Sequence, residues 1–185
     1  MARDTQRSKL YDAERASGLE HVSHPRRGHW EPMTVPECQA LAQKALRSAY
    51  VRRRHPSAER VARRSTFEYG RSGGRANQFT GEVRLGLWAR QPLVVLHEVA
   101  HLLTPSSEPA HGWKFAATFL DLVRAGMGVE AHDKLKASFT KHKVRFRAPQ
   151  KRAPLSPERK AALTAQLAAA RQAKAAASPP PKETP

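Results

Sequence analysis

The spacing of apolar residues changes along this chain and divides it into predicted elements. Residues 5–19 and 35–54 carry apolar side chains every three or four positions, which predicts two helices. The segment Thr34-Val35-Pro36-Glu37 has the capping-box pattern, with proline in the first turn, and marks the start of the second helix. From about 61 to 89 the period changes, and the alternation over Val83–Leu87 predicts a half-buried strand in a small sheet of two to four strands.

The next part of the chain returns to helical spacing. The stretch from Gln91 to Leu103 is apolar on nearly every side and is stopped by Pro105, which predicts a buried helix. A second, amphipathic helix opens near His111, and a third covers about 129–140. Together these elements predict an α+β fold in which a small, mainly antiparallel sheet packs on the buried helix.

The composition changes beyond Ala148, where Ala, Pro, Lys and Arg dominate. This shift predicts a globular domain over residues 1–148 and a basic tail over residues 149–185 that is helical or disordered. The chain has 185 residues, which is a natural length for one domain with a tail.

The buried helix contains the motif His97-Glu98-Val99-Ala100-His101. Two histidines four positions apart project from one face of a helix, about 40° apart. Both imidazoles can therefore bind one Zn²⁺, with Glu98 next to the water that the metal activates. We favour this interpretation over a core helix whose histidines only form hydrogen bonds, because a catalytic zinc site accounts for all three polar residues.

A catalytic zinc site uses three protein ligands, so one more is required. The best candidate is His111, because a short Pro-rich loop lets the next helix return across the first one and bring this histidine to the metal. Asp121, Glu130 and His132 are the alternatives and rank below it. Asp121 is expected on the solvent face of its helix.

Known sequence patterns of zinc proteases limit the family to which the motif can belong. Thr104 and Ser107 stand where the metzincin motif requires glycine and histidine, so the chain is not a metzincin. The segment HEVAHLL followed by HGWKF resembles the SprT-like zincins. The N-terminal residues Arg3–Glu14 and the segment Val83–Arg90 are similar to those of small actinobacterial and actinophage metallohydrolases, and the resemblance covers residues 2–147. It implies a zincin-like fold, with zinc ligands His97, His101 and His111 and the catalytic residue Glu98.

The expected reaction is zinc-dependent hydrolysis, most simply of a peptide bond in a protein or peptide substrate, with Glu98 as general base. By resemblance, a strand beside the cleft pairs with the substrate backbone, and Val83, Arg84 and Leu85 are assigned this role. Tyr69, Arg84 and His132 are alternatives for stabilising the oxyanion. Asp121 is a candidate for orienting a ligand histidine. Hydrolysis of a non-peptide amide stays open.

The net charge of +17 attracts polyanions. Both nucleic-acid contact and a merely solvated basic surface are consistent with it. The residues that would contact nucleic acid are Arg52, Arg53, Arg54, Arg63 and Arg64. A second function therefore competes with hydrolysis: a non-catalytic, basic nucleic-acid-binding protein with a structural zinc site. Such a closed site needs a fourth ligand, for which the chain offers Cys38, Glu108, Glu130 and His132.

Cys38 is the only cysteine, so no intramolecular disulfide can form. No apolar run has the length of a membrane span, and the N-terminus lacks the apolar core of a signal peptide. We expect a cytoplasmic protein of a bacterium, or a phage protein that acts in the host cytoplasm, and no pattern indicates an oligomeric state. His21, His24 and His29 could hold a second metal, although a basic surface loop is the simpler interpretation.

Overall fold

The computed structural model describes residues 4–20, 30–148 and 156–176. The chain divides into two units, Met1–Ala148 and Pro149–Pro185. The first unit is an α+β fold, as predicted, and the element described in the second unit is a single helix. The elements are, in order, α1 (Arg7–Ala16), α2 (Val35–Arg47), α3 (Ala49–Arg54), α4 (Ala58–Arg64), β1 (Thr66–Tyr69), β2 (Gly74–Ala76), β3 (Glu82–Leu85), α5 (Pro92–Leu103), α6 (Trp113–Met127), α7 (Val129–Lys141) and α8 (Pro157–Ala176).

The sheet has three strands in the order β1-β3-β2, and it is mixed rather than mainly antiparallel. Strand β3 is antiparallel to β2 and parallel to β1. Strand β2 follows β1 in the chain but lies on the opposite side of β3. The connection between β1 and β2 must therefore pass close to the end of β3. Gly70 and Gly86 permit this crossing, since a Cβ atom on Gly70 would lie 3.1 Å from the backbone nitrogen of Gly86.

Helix α5 forms the centre of the core, and ten of its twelve residues are buried. It packs against α6 and α2 and is also in contact with β2 and β3. Leu93 and Leu96 are fully buried, and each contributes roughly 1.5–3 kcal/mol of hydrophobic stabilisation. This packing holds the HExxH motif on a rigid element.

Two helices differ from the prediction. The helix predicted over residues 35–54 is broken at Ser48, whose hydroxyl accepts a hydrogen bond from the Val51 N–H at 3.2 Å and so starts α3 as a new helix. Helix α4 lies partly where the change of period predicted sheet, because seven residues are too few to show helical spacing. The predicted capping box is present: Thr34 accepts from the Glu37 N–H, and the Glu37 carboxylate accepts from the Thr34 N–H.

Val144 is buried near the end of the first unit and forms no strand. None of the described helices combines the length and the apolar character that crossing a membrane requires.

Candidate metal centre

Three histidines come together at one side of α5. His97 and His101 lie one turn apart on this helix, and His111 lies in the loop just before α6. One ring nitrogen of each lies within 4.8 Å of one ring nitrogen of each of the others. The ring centroids are separated by 4.9–5.4 Å. The three side chains are therefore close enough to hold a metal ion together.

The loop before α6 brings His111 back to α5, as its Pro-rich sequence predicts. The Gly112 N–H donates to the Pro109 carbonyl at 2.9 Å, which closes a tight turn around His111. Phe115, on the first turn of α6, packs against all three histidine rings, with centroid distances of 4.5–5.1 Å. This fully buried ring fixes the position of the loop relative to the motif helix.

Two carboxylates from the N-terminal segment hold two of the histidines. Glu14 Oε1 lies 2.7 Å from His97 Nδ1, and Asp4 Oδ2 lies 2.6 Å from His111 Nδ1. A carboxylate can only accept a hydrogen bond, so each Nδ1 carries the proton and donates it. In the neutral form of each ring, Nε2 then keeps its lone pair, and this is the form of histidine that binds a metal.

The electrostatics of the three rings differ. Burial lowers the pKa of His101 to about 2, with the neighbouring His97, His111 and Arg7 acting in the same direction, so this ring is neutral. Burial also lowers the pKa of His111 and outweighs the opposing bond to Asp4. At His97 burial acts in the same sense, but the charge and hydrogen bond of Glu14 outweigh it and raise the pKa.

Tyr11 of α1 packs against two of the histidine rings. Its ring stacks on His97, with the centroids 5.5 Å apart and the planes 14° from parallel, and it also lies against His111 at 5.4 Å. Burial raises the pKa of the Tyr11 hydroxyl, and the positive charge of Arg7 opposes this rise. The hydroxyl is therefore protonated and can donate a hydrogen bond.

The side chain of Glu98 extends from α5 to the edge strand β2. Burial raises the pKa of Glu98, while the charge of His97 and the nearby backbone N–H of Ala76 oppose the rise. A Cβ atom on Gly74 would lie 2.6 Å from Glu98 Oε1, so the absence of a side chain at this position makes room for the carboxylate. The sheet and the motif helix thus meet at Glu98.

The donor set fits a metal ion. His111 Nε2 is buried and has no hydrogen-bond partner, although an unpaired buried polar atom is costly. A metal bound by the three imidazoles would satisfy this atom. No fourth histidine, cysteine, aspartate or glutamate among the described residues joins the group, which leaves a coordination position for another molecule, as in catalytic zinc sites.

A cleft of about 830 Å³ opens beside these residues. Its floor contains Glu98, His101 and His111, and the residues of β2 form one side. The side chain of Gln78 ties this side to the end of α5 by donating to the carbonyls of His101 and Thr104, at 2.6 and 3.0 Å. The remaining lining residues include Asp4, Arg7, Tyr11, Phe79, Glu82 and Arg84.

Asp121 is neither on the solvent face of its helix nor bound to a ligand histidine, so both predictions for it are wrong. It is buried and accepts hydrogen bonds from the Tyr50 hydroxyl at 2.8 Å and from Arg54 at 2.9 Å, and it lies 3.0 Å from His55 Nε2. We call these four residues the Asp121 cluster. Sequence spacing could not show it, because its members lie on α3 and α6 and in the turn after α3.

Strand β3 cannot pair with a substrate, contrary to the role predicted for Val83, Arg84 and Leu85. It is the central strand, and β1 and β2 occupy both of its edges. Val83 and Leu85 are fully buried in the core, whereas Arg84 lines the cleft and is paired with Glu82. Among the described strands, β2 is the edge strand that borders the cleft.

The other candidate ligands and oxyanion partners lie elsewhere. Tyr69 is 70% exposed and packs against Arg90, and His132 lies on α7 with its ring bonded to Asp133. Cys38 is buried in α2, where burial raises the pKa of its thiol to about 11. Glu108 pairs with Lys114 and Glu130 pairs with Lys134. The possible second metal site at His21, His24 and His29 lies outside the described residues.

The five arginines considered for nucleic-acid contact lie on two neighbouring helices, α3 and α4. Several have partners within the protein: Arg54 belongs to the Asp121 cluster, Arg52 and Arg63 lie near Glu59, and Arg64 donates to the carbonyl of Gln78. Arg53 is exposed.

The contribution of the N-terminal segment is the main feature that the sequence analysis missed. Arg7, Tyr11 and Glu14 recur at intervals of four and three, which places them on one face of α1, and Asp4 precedes them by three residues. This polar stripe is the signal that could have indicated a functional face.

Comparison with protein-family models, with curated proteins and with solved structures finds no match for this chain. The resemblance to zincins therefore rests on the sequence motif alone and stays a prediction.

Proposed function

We propose that this protein is a zinc-dependent hydrolase of the zincin type that cleaves a peptide bond. The observation that carries the proposal is the convergence of three imidazoles beside a buried glutamate in an open cleft, with His111 Nε2 left without a partner. His97, His101 and His111 would hold the metal. Bound Zn²⁺ supplies a coordinated water of lowered pKa and a Lewis acid for the scissile carbonyl.

Glu98 acts as the general base that takes a proton from the attacking water and passes it to the leaving amine. Its raised pKa suits this role, because a base whose pKa is closer to the working pH can also return the proton. The room left by Gly74 sets the position of the carboxylate.

The residues around the metal ligands supply orientation and charge stabilisation. We assign the stabilisation of the oxyanion to Tyr11, which was not among the predicted candidates, because its hydroxyl is protonated and it lines the cleft and packs on two ligand histidines. Strand β2 is the edge strand at the cleft, and we assign to it the pairing with an extended substrate that was first expected of β3. Glu14 and Asp4 keep the histidine tautomers fixed.

Metal content and turnover test the proposal together. We expect about one zinc per chain in the wild type and in Glu98→Gln, and a sharp drop in His111→Ala because only two ligands remain. Cleavage of a mixed peptide library, followed by mass spectrometry, is expected in the wild type and to fall by about a hundredfold or more in Glu98→Gln. Glu130 is an exposed glutamate on α7, so Glu130→Gln serves as the matched control. Its zinc content and turnover should equal those of the wild type.

Each part can fail separately. Full zinc content in His111→Ala would remove His111 from the ligand set. Wild-type turnover by Glu98→Gln would remove Glu98 from the chemistry. Absence of zinc from the wild type after reconstitution would refute the metal centre itself.

A further inference from the structure

Arg7 has a particular position at the rim of the cleft. On the same face of the N-terminal segment it lies between Asp4, which holds His111, and Tyr11, which stacks on His97. Its guanidinium carbon stands 5.6 Å from the centroid of the Tyr11 ring, and it lines the cleft together with His101. Its charge therefore lies beside the ligand histidines, with its side chain exposed to an incoming molecule.

Three carboxylates line the cleft, those of Asp4, Glu82 and Glu98. Asp4 is bound to His111 at 2.6 Å, Glu82 is bound to Arg84, and Glu98 is the proposed general base. None of these carboxylates is paired with Arg7. In the parts of the chain that the structure describes, Arg7 forms no ion pair at all.

The other cleft arginines are placed differently. Arg84 has Glu82 and, at 3.7 Å, Glu68 as partners. Arg75, its register partner on β2, lines the cleft from the sheet and has no ion pair among the described residues. Arg7 also has none, and it is the one that adjoins the metal ligands, because it interacts with the Tyr11 hydroxyl and its charge acts on His101. A guanidinium with this placement is suited to bind a carboxylate through two parallel hydrogen bonds.

We propose that Arg7 determines substrate specificity by binding a carboxylate of the substrate close to the bond that is cleaved. This inference rests on the proposed function, since it names the substrate class of the same site. The carboxylate can belong to an acidic side chain or to the C-terminus of a peptide, and both present the same chemistry to Arg7.

Two pairs of hydroxamates, which bind zinc directly, test the inference by calorimetric titration of the zinc-loaded protein. The first pair is acetyl-aspartyl hydroxamate and acetyl-asparaginyl hydroxamate, which differ in a side-chain carboxylate. The second pair is succinic monohydroxamate and its amide, which differ in a chain-end carboxylate. We expect the carboxylate to bind about tenfold more tightly than the amide in one pair, as for a charge-assisted hydrogen bond, and that pair identifies the source.

Three variants assign the preference to Arg7. Arg7→Gln should abolish the preference for the carboxylate while the amide members bind as before, and Arg7→Lys should retain part of it because a point charge remains. Arg71→Gln is the matched control, since Arg71 is exposed in the turn before β2 and does not line the cleft. Its preference should equal that of the wild type.

The outcomes separate this inference from the proposed function. Zinc binding and equal affinity for both members of each pair would overturn the role of Arg7 and leave the metal centre intact. An unchanged preference in Arg7→Gln would do the same. Zinc binding without hydroxamate binding would also overturn it, because the cleft would then not admit a ligand. A wild type that binds neither zinc nor hydroxamate would overturn both proposals.

Discussion

The metal centre and the Asp121 cluster both pair carboxylates with histidines. In the metal centre, Glu14 lies 2.7 Å from His97 and Asp4 lies 2.6 Å from His111. In the Asp121 cluster, Asp121 lies 3.0 Å from His55. The same pair of chemical groups thus occurs twice. The two places differ in which ring nitrogen the carboxylate binds and in whether the other polar atoms have partners.

In the metal centre, the carboxylates leave one ring nitrogen of each histidine available. Its carboxylates bind Nδ1 of His97 and His111, and Nε2 of His111 stays buried and unpaired. In the Asp121 cluster the carboxylate binds Nε2 of His55 and is saturated by the Tyr50 hydroxyl and by Arg54. No buried polar atom of the cluster lacks a partner. An unsatisfied group indicates a binding site, whereas a fully satisfied network stabilises the fold.

The largest effect is expected from removing Glu14. Glu14→Ala should weaken zinc affinity by about tenfold to a hundredfold, because His97 loses the acceptor that fixes its tautomer and orientation. Competition with a chelator of known affinity measures this change. The Glu14 side chain is 7% exposed, whereas the Asp4 side chain is 24% exposed, so Asp4→Ala should have the smaller effect of the two.

A neighbouring acid on the same helix provides the control. Asp12 lies on α1 but is exposed and pairs with Arg15, so Asp12→Ala should keep wild-type zinc affinity. Glu14→Gln should lose less affinity than Glu14→Ala, since the amide oxygen can still accept from Nδ1. Equal zinc affinity in Glu14→Ala and Asp12→Ala would show that the carboxylate of Glu14 does not support the metal.

The Asp121 cluster should respond in the opposite way. Asp121→Ala is expected to lower the free energy of unfolding by about 2 kcal/mol, because it leaves the donors Tyr50 and His55 without their acceptor. Zinc content should stay at the wild-type value. Urea denaturation and elemental analysis of the same preparation measure both quantities. Loss of zinc with unchanged stability would contradict the division between the two clusters.

The part of the site that depends on local sequence was predictable. The HExxH spacing places His97 and His101 on one face of a helix, and a short loop before an amphipathic helix returns His111 to it. The capping box of α2 is likewise a four-residue pattern. Each of these features is decided by neighbours in the sequence, so one chain suffices to infer them.

The features that were not predicted depend on contacts between residues far apart in the sequence. The bond between Glu14 and His97 spans 83 residues, and that between Asp4 and His111 spans 107. Nothing in the local pattern of α1 specifies these partners. The mixed sheet has a similar origin, because the direction of β1 depends on the close crossing at Gly70 and Gly86 rather than on alternation within the strands. Tertiary packing decides such pairings.

The smallest expected effect is a pH dependence of stability that belongs to the Asp121 cluster. Burial alone would raise the pKa of Asp121, but the bonds from His55, Arg54 and Tyr50 outweigh it and lower this pKa. A lowered pKa in the folded state stabilises the protein above the unfolded value of about 3.9, and this contribution is lost as the pH falls through the folded value.

The free energies of unfolding of the wild type and Asp121→Asn, measured in EDTA at pH 7 and pH 3, give the size of this term. We expect the wild type to be more stable at pH 7 and the difference to shrink at pH 3, because Asp121 has the higher pKa in the unfolded chain, which therefore takes up the proton first. Working without zinc separates the result from proton competition at the metal ligands. A difference that stays constant down to pH 3 would mean that the charge of Asp121 does not stabilise the fold, and the contrast with the metal centre would then rest on hydrogen bonds alone.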